Sequence, residues 1–131
     1  NDFNRCRFLL HDKDGKVCSY KVSHNPGKFR SPEEYSYLEQ NEMVDIYAMG
    51  NIFYSIVSEK WPFEEISDVN IAQEKIKNGE RPEVSSFLQN DQVLMALAEI
   101  IQLCWKQKAV ERPSAKEVVS LIEKKIRLFS P

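Results

Sequence analysis

The apolar residues of this chain gather in four blocks separated by polar stretches, and three of the blocks repeat at helical spacing. The exception runs from Met43 to Val57, is apolar almost all round a helical wheel, and carries Asp45 as its only charge. Such a helix is expected to be buried on every side, with other elements packed around it. It is too short to span a bilayer. Pro62 ends it nearby, and Trp61 and Phe63 are expected in the core. A second helix, capped by Ser67 or Asp68, places Val69, Ala72 and Ile76 on one face and stops at Asn78-Gly79. A third begins at Asp91 and runs through Trp105, with Leu94, Leu97, Ile101 and Cys104 facing the core. Ser114 and Glu117 form a capping box that opens the last helix, whose buried stripe is Val118, Leu121, Ile122 and Ile126.

The first thirty residues follow another pattern. Phe3, Phe8, Leu9 and Leu10 make a short strand-like run, Asp14-Gly15 is a hairpin signal, and Val17 to Val22 is a plausible return strand. Ser23 to Lys28 is a loop carrying Asn25-Pro26-Gly27. The expected fold is mainly α: helices around a central helix at about 43–58, with a short N-terminal β-hairpin.

Composition narrows the function. With 131 residues the chain is one domain or part of one. A net charge of −2 gives no electrostatic case for nucleic acid or an anionic membrane. Cys6, Cys18 and Cys104 fit no zinc spacing and no disulfide framework, so a reducing, cytoplasmic setting is expected. Cys104 reads as a small buried hydrophobe. Lys75 and Lys77 read as a solvated face, and Lys124, Lys125 and Arg127 complement the dipole at the end of the last helix. The sequence shows no signal peptide and opens without an initiator methionine, and a longer parent protein is expected.

Asp45 is the anomaly of the central helix. A carboxylate in a first turn gains from the positive end of the macrodipole, yet needs hydrogen-bond donors if it is desolvated. The spacing Asp45-x-Tyr47-x-x-Gly50 resembles the D-x-W-x-x-G motif on the central helix of the protein kinase large lobe. Four further segments resemble that family in the same order. Asp2-Phe3-Asn4 looks like the D-F-G that opens the activation segment, and Ser31-Pro32-Glu33 like the A-P-E that closes it. Gly79-Glu-Arg-Pro82 is similar to the family sequence after its next helix. Cys104-Trp105, followed by Arg112-Pro113-Ser114, resembles the C-W-x(6)-R-P-S signature of tyrosine-kinase and tyrosine-kinase-like domains.

The resemblance covers residues 1–131, with 1–34 as activation segment and 35–131 as helical subdomain. It implies the C-terminal lobe of a protein kinase domain. Asp2 would hold Mg2+, which takes hard oxygen ligands. Phe3 would be the apolar plug beside it. Asn4 stands where the family has glycine, and asparagine tolerates left-handed backbone better than most residues. Arg112 would pair with Glu33 and tie the activation segment to the final helices. Asp45 would accept hydrogen bonds from the H-R-D loop. Ser19, Tyr20 and Ser23 lie in the activation segment as candidate phosphorylation sites. Pro26 has tyrosine-kinase placement, whereas Phe29 stands where such kinases favour tryptophan, and the acceptor hydroxyl stays open.

The sequence contains no G-x-G-x-x-G and no H-R-D. Phosphoryl transfer depends on positioning and electrostatics supplied by those parts together. The chain alone is expected to be inactive, to bind no ATP, and to hold neither cofactor nor a complete catalytic set. In the complete kinase ATP and Mg2+ are expected, with a protein substrate and the N-terminal half of the domain as partners. The alternative is a non-catalytic, pseudokinase-like binding or scaffold module. Without the missing half, Asp45 is expected to face a cavity or solvent, apolar residues to be exposed, and the chain to be poorly stable and prone to aggregate.

Overall fold

The central helix, labelled α2, runs Met43–Ser58. Asn41 starts it by accepting the Met43 amide on its side-chain oxygen, 3.0 Å away. Glu59 ends it in the left-handed region at φ 56°, with its amide bonded to the Ser55 carbonyl. The computed structural model describes residues 6–84 and 91–129. Before α2 comes the single turn α1, Pro32–Tyr35, and after it α3, Val69–Lys77, α4, Gln92–Cys104, a 3-10 turn at Ala109–Glu111, and α5, Ala115–Phe129. The fold is mainly helical.

Side-chain chemistry sets the helix ends. Asp68 accepts the Asn70 and Ile71 amides at the start of α3. Asp91 does the same for Val93 and Leu94 at the start of α4. α3 closes in a Schellman motif: Glu80 bonds back to the Lys75 carbonyl and Gly79 to Ile76, with Gly79 at φ +88°. At α5 the capping box is complete, for Ser114 donates from its amide and hydroxyl to Glu117, and Glu117 donates its amide to the Ser114 hydroxyl.

The core forms two adjoining clusters on α2. Tyr35, Tyr47, Tyr54, Phe63, Ala72, Ile76, Ile101 and Trp105 make one. Ile46, Ile100, Cys104 and Val118 make the other, which joins α2, α4 and α5. Gly50 is what lets α4 approach. A Cβ there would lie 2.9 Å from both the Cys104 Cβ and the Trp105 Cδ1.

Several expectations need correction. α2 is not buried all round: Ile46, Tyr47, Gly50, Asn51 and Tyr54 are buried, while Ile52 is 59% and Ile56 69% exposed. Apolar composition shows that a face can be covered, not that a described element covers it. Trp61 is 63% exposed, its ring tilted against that of Phe29 at 5.8 Å, and of the expected pair only Phe63 reaches the core. Val69 and Ile126 keep the predicted helical register but are exposed, because each lies near an end of its helix. The N-terminal turn closes through Asp12 and Gly15, and Cys18 bonds back to Leu10. Beyond the single bridge between His11 and Val17 no ladder forms there among the described residues, and Tyr20 pairs with Gln40 instead. Phe8 and Leu10 are exposed, so this hairpin has no apolar face to bury, and an isolated hairpin is marginal in water.

The close approach at Gly50 generates a test. Gly50→Ala should cost about 1–3 kcal/mol, the range for overpacking a filled core. A urea-midpoint shift at constant slope reads this directly. An unshifted midpoint would mean that α4 can retreat freely.

Candidate functional site

Among the described residues, a dense set of polar contacts lies around the loop 25–31 and α1. The Gly27 and Phe29 carbonyls of the loop meet donors from other elements of the chain. Gly27, at φ +80°, has its carbonyl bonded by the Tyr35 hydroxyl at 2.6 Å and by Gln73 of α3 at 2.7 Å. The Phe29 carbonyl accepts from the Asn51 side chain of α2 at 2.7 Å. Lys28 reaches the other way, and its Nζ donates to the Phe63 and Ile66 carbonyls at 2.6 and 2.7 Å. Asn25 is buried and donates to Val22 and Glu34. Burial pushes the Tyr35 hydroxyl up to about 12, so it stays a proton donor to Gly27 at ordinary pH.

α1 is short and depends on its cap. Ser31 donates its amide and hydroxyl to Glu34, both at 2.8 Å, and Arg30 steadies the same carboxylate at 3.3 Å. Next to it Glu33 meets Arg112 in a two-pronged pair: Nη1 to Oε1 at 2.6 Å and Nη2 to Oε2 at 2.7 Å. The Arg112 side chain is fully buried and that of Glu33 is 9% exposed. Arg112 also donates to the Met43 and Lys106 carbonyls and lies 5.1 Å from the Tyr47 ring centre. The structure therefore brings together two residues 79 positions apart in sequence. Arg81 covers the same ring at 5.2 Å. Burial pushes the Tyr47 hydroxyl up to about 12.

Asp45 sits in the first turn of α2 on the exposed side. Its carboxyl is nonetheless raised above the ordinary carboxylate value, first by partial desolvation and then by the nearby charges of Glu34 and Glu42. Gly50 lies on the opposite, buried side against Trp105. Cys104 is buried, and desolvation pushes its thiol up to about 11, which suits a packing role.

The three candidate hydroxyls differ in setting. Ser19 is exposed and its hydrogen bond holds the Glu39 carboxyl below its ordinary value. Tyr20 is half-buried, paired through its backbone with Gln40, and its ring lies 5.4 Å from the Arg7 guanidinium. Ser23 is exposed and lines a cavity of about 360 Å3 with Arg7, Lys21 and Tyr37. Asp2, Phe3 and Asn4 lie outside the described residues. Among the described residues no group of three His, Cys, Asp or Glu side chains could hold a metal ion, so the metal expectation rests on Asp2. No helix among them is long and apolar enough to cross a membrane.

Sequence reasoning missed Asn51, Gln73 and Lys28 as the side chains that hold the loop. For Asn51 a signal was present: it is the only amide in an otherwise apolar helix. Lys28 and Gln73 carry no comparable mark, since lysine and glutamine usually face solvent.

Comparison with known proteins follows the same outline. The family model described as Protein kinase domain matches residues 1–121. The chain is similar to a probable serine/threonine-protein kinase of Dictyostelium discoideum, 31% identical over 122 residues, or 93% of this chain and 12% of that protein. A dual specificity protein kinase of the same organism is 30% identical over 96 residues, 72% of this chain and 18% of that protein. A serine/threonine/tyrosine-protein kinase of Arabidopsis thaliana is 28% identical over 102 residues, 76% of this chain and 25% of that protein. The chain thus spans a quarter or less of the length of these relatives.

Two charge substitutions test the site. Arg112→Ala leaves Glu33 buried without its partner and should cost about 3–5 kcal/mol in urea unfolding. An unchanged midpoint would show that water replaces the guanidinium without penalty. Asp45→Asn should act in the opposite direction. A carboxyl with a raised folded-state pKa destabilises the fold once ionised. The penalty is absent below the ordinary carboxylate value, grows as pH rises to the folded-state value, and stays constant above it. Asp45→Asn should therefore stabilise the protein at neutral pH, with the gain vanishing in acid. A gain that persists at low pH would assign the effect to something other than ionisation.

Proposed function

Because the chain belongs to the protein kinase domain family, we propose that it forms the helical large-lobe part of such a domain, from the metal-holding Asp2 to the last helix. In the full protein this part presents the acceptor to the γ-phosphoryl group of ATP. A serine, threonine or tyrosine hydroxyl oxygen attacks the γ-phosphorus as its proton passes to a base of the catalytic loop, the bond to the bridging oxygen breaks, and ADP leaves. The observation that carries this reading is the buried two-pronged pair between Glu33 and Arg112. It is the structural tie expected of an activation segment anchored to the last helices. The clamped loop 25–31 beside it supports the role of acceptor platform.

Asp2 is the proposed Mg2+ ligand, and the ion would neutralise charge on the phosphates. Phe3 packs beside it in this reading, and Asn4 makes the turn. Cys104-Trp105 with Arg112-Pro113-Ser114 supports a tyrosine-kinase-like branch of the family. A relative named as a serine/threonine-protein kinase and another named as a dual specificity protein kinase leave the acceptor hydroxyl open. Asp45, with the exposed Ile52 and Ile56 on the same side of α2, faces the catalytic loop and the rest of the domain in this proposal. The chain by itself is expected not to transfer phosphate. The three free cysteines fit an intracellular placement. Ser19 and Ser23, both exposed, and Tyr20 are proposed as modifiable hydroxyls of the activation segment. A non-catalytic reading, favoured by Asn4 in place of glycine, keeps the same fold as a binding module.

The full protein should transfer labelled phosphate from ATP to a protein substrate in the presence of Mg2+. Asp2→Asn should abolish transfer with the thermal midpoint unchanged, because a neutral amide is a poor Mg2+ ligand. Full activity in that variant would remove Asp2 from the metal site. A well-folded wild-type protein with no transfer would decide for the binding module.

A further inference from the structure

One polar chain crosses the core of this molecule and ends on the loop. Trp105, at the end of α4, is buried and donates its indole Nε1–H to the Asn51 Oδ1 at 2.8 Å. The same amide donates Nδ2–H to the Phe29 carbonyl at 2.7 Å. The polarity of this chain is forced. An indole nitrogen can only donate and a backbone carbonyl can only accept. A side chain bridging them must accept at one end and donate at the other, which an amide does in one orientation. Gly50 makes the approach possible, since its missing Cβ would sit 3.0 Å from the same indole nitrogen.

We propose that Asn51 is the positioning residue of the loop 25–31, its amide oriented by Trp105, and that it sets the affinity for the acceptor polypeptide. Phe29 is the loop residue it holds, and the Phe29 ring in turn packs at a tilt against exposed Trp61, 5.8 Å between ring centres. These two rings, with Ile52 and Pro62, border an apolar recess of about 200 Å3 next to the loop. Fixing the Phe29 carbonyl therefore fixes one wall of the recess. Lys28 and Gln73 hold neighbouring positions of the loop, Lys28 through the Phe63 and Ile66 carbonyls and Gln73 through the Gly27 carbonyl. Asn51 links loop geometry to the packing of α4 on α2 through Trp105. The acceptor half of the proposal rests on the kinase reading of the loop. The positioning half does not.

Three variants in the full protein separate the links. Asn51→Asp keeps the size of the side chain and the acceptor for Trp105, but sets a second oxygen against the Phe29 carbonyl. Asn51→Leu removes both bonds. Trp105→Phe removes the donor and lets the amide turn. The readout of position is hydrogen exchange at the Arg30 and Ser31 amides, which bond to Tyr35 and Glu34 when the loop is in place. Exchange there should rise about tenfold in all three variants, the equivalent of one lost hydrogen bond, with α5 amides unchanged. Trp105→Phe combined with Asn51→Leu should add nothing to Asn51→Leu. The readout of function is steady-state kinetics: KM for an acceptor peptide should rise about tenfold, with KM for ATP unchanged. Unaltered exchange in Asn51→Asp overturns the positioning role, and additive effects in the double variant overturn the role of Trp105. Faster exchange with an unchanged peptide KM overturns the acceptor half. A wild-type protein without transferase activity sinks the kinase reading and the acceptor half with it, while the exchange results still decide the positioning half.

Discussion

The pair between Arg112 and Glu33 is the contact on which the arrangement of the chain depends. A guanidinium and a carboxylate both withdrawn from water are tolerated only when nearly every donor and lone pair finds a partner. That demand recruits the Met43 and Lys106 carbonyls and the face of the Tyr47 ring. Three segments far apart in sequence thereby acquire fixed relative positions: the turn α1, the start of α2, and the stretch leading into α5. A buried ion pair is poor evidence for added stability, since apolar substitutes of the same volume often do as well. Its stronger effect is to select one arrangement among many, because a shifted register would strand a charge.

A second constraint works at shorter range. The close contact of α4 with α2 at Gly50 brings Trp105 within reach of Asn51, and through it within reach of the loop. Apolar packing and polar positioning are thus coupled at one residue. The buried ring of Tyr54 packs 5.4 Å from that of Trp105, and the bond between Trp105 and Asn51 is buried. A bond made in such surroundings is costly to leave unmade, so the loop has one favourable position.

The opposite side of α2 has a different character. Ile52 and Ile56 are exposed there, and Asp45 carries a carboxyl that partial desolvation and neighbouring charges make reluctant to ionise. Apolar surface beside a carboxylate in search of donors is chemistry suited to being covered by another polypeptide surface with free amides. In the kinase reading that surface is the catalytic loop and the elements around it.

Local chemistry made much of this legible from the sequence. Asp68, Asp91, Ser114 with Glu117, and Asn78-Gly79 mark helix ends, because capping involves residues three or four positions apart. The periodicity of α4 likewise identifies Ile101 and Cys104 as core. The motif order pointed to the protein kinase family, and it named Glu33 and Arg112 before their distance was known. Outside that pair, which the family resemblance implied, properties that depend on a partner distant in sequence stayed out of reach. Trp61 and Phe63 are two positions apart and equally aromatic, yet one packs against an exposed loop residue and the other enters the core. The apolar faces of α2 look alike on a helical wheel, and only the placement of α4 decides which is covered. Asn51 and Gln73 became part of a clamp because loop carbonyls lie at their ends, and Lys28 because the Phe63 and Ile66 carbonyls lie at its own. Burial and hydrogen bonding are relations between residues brought together by the whole fold, so tertiary structure alone decides them.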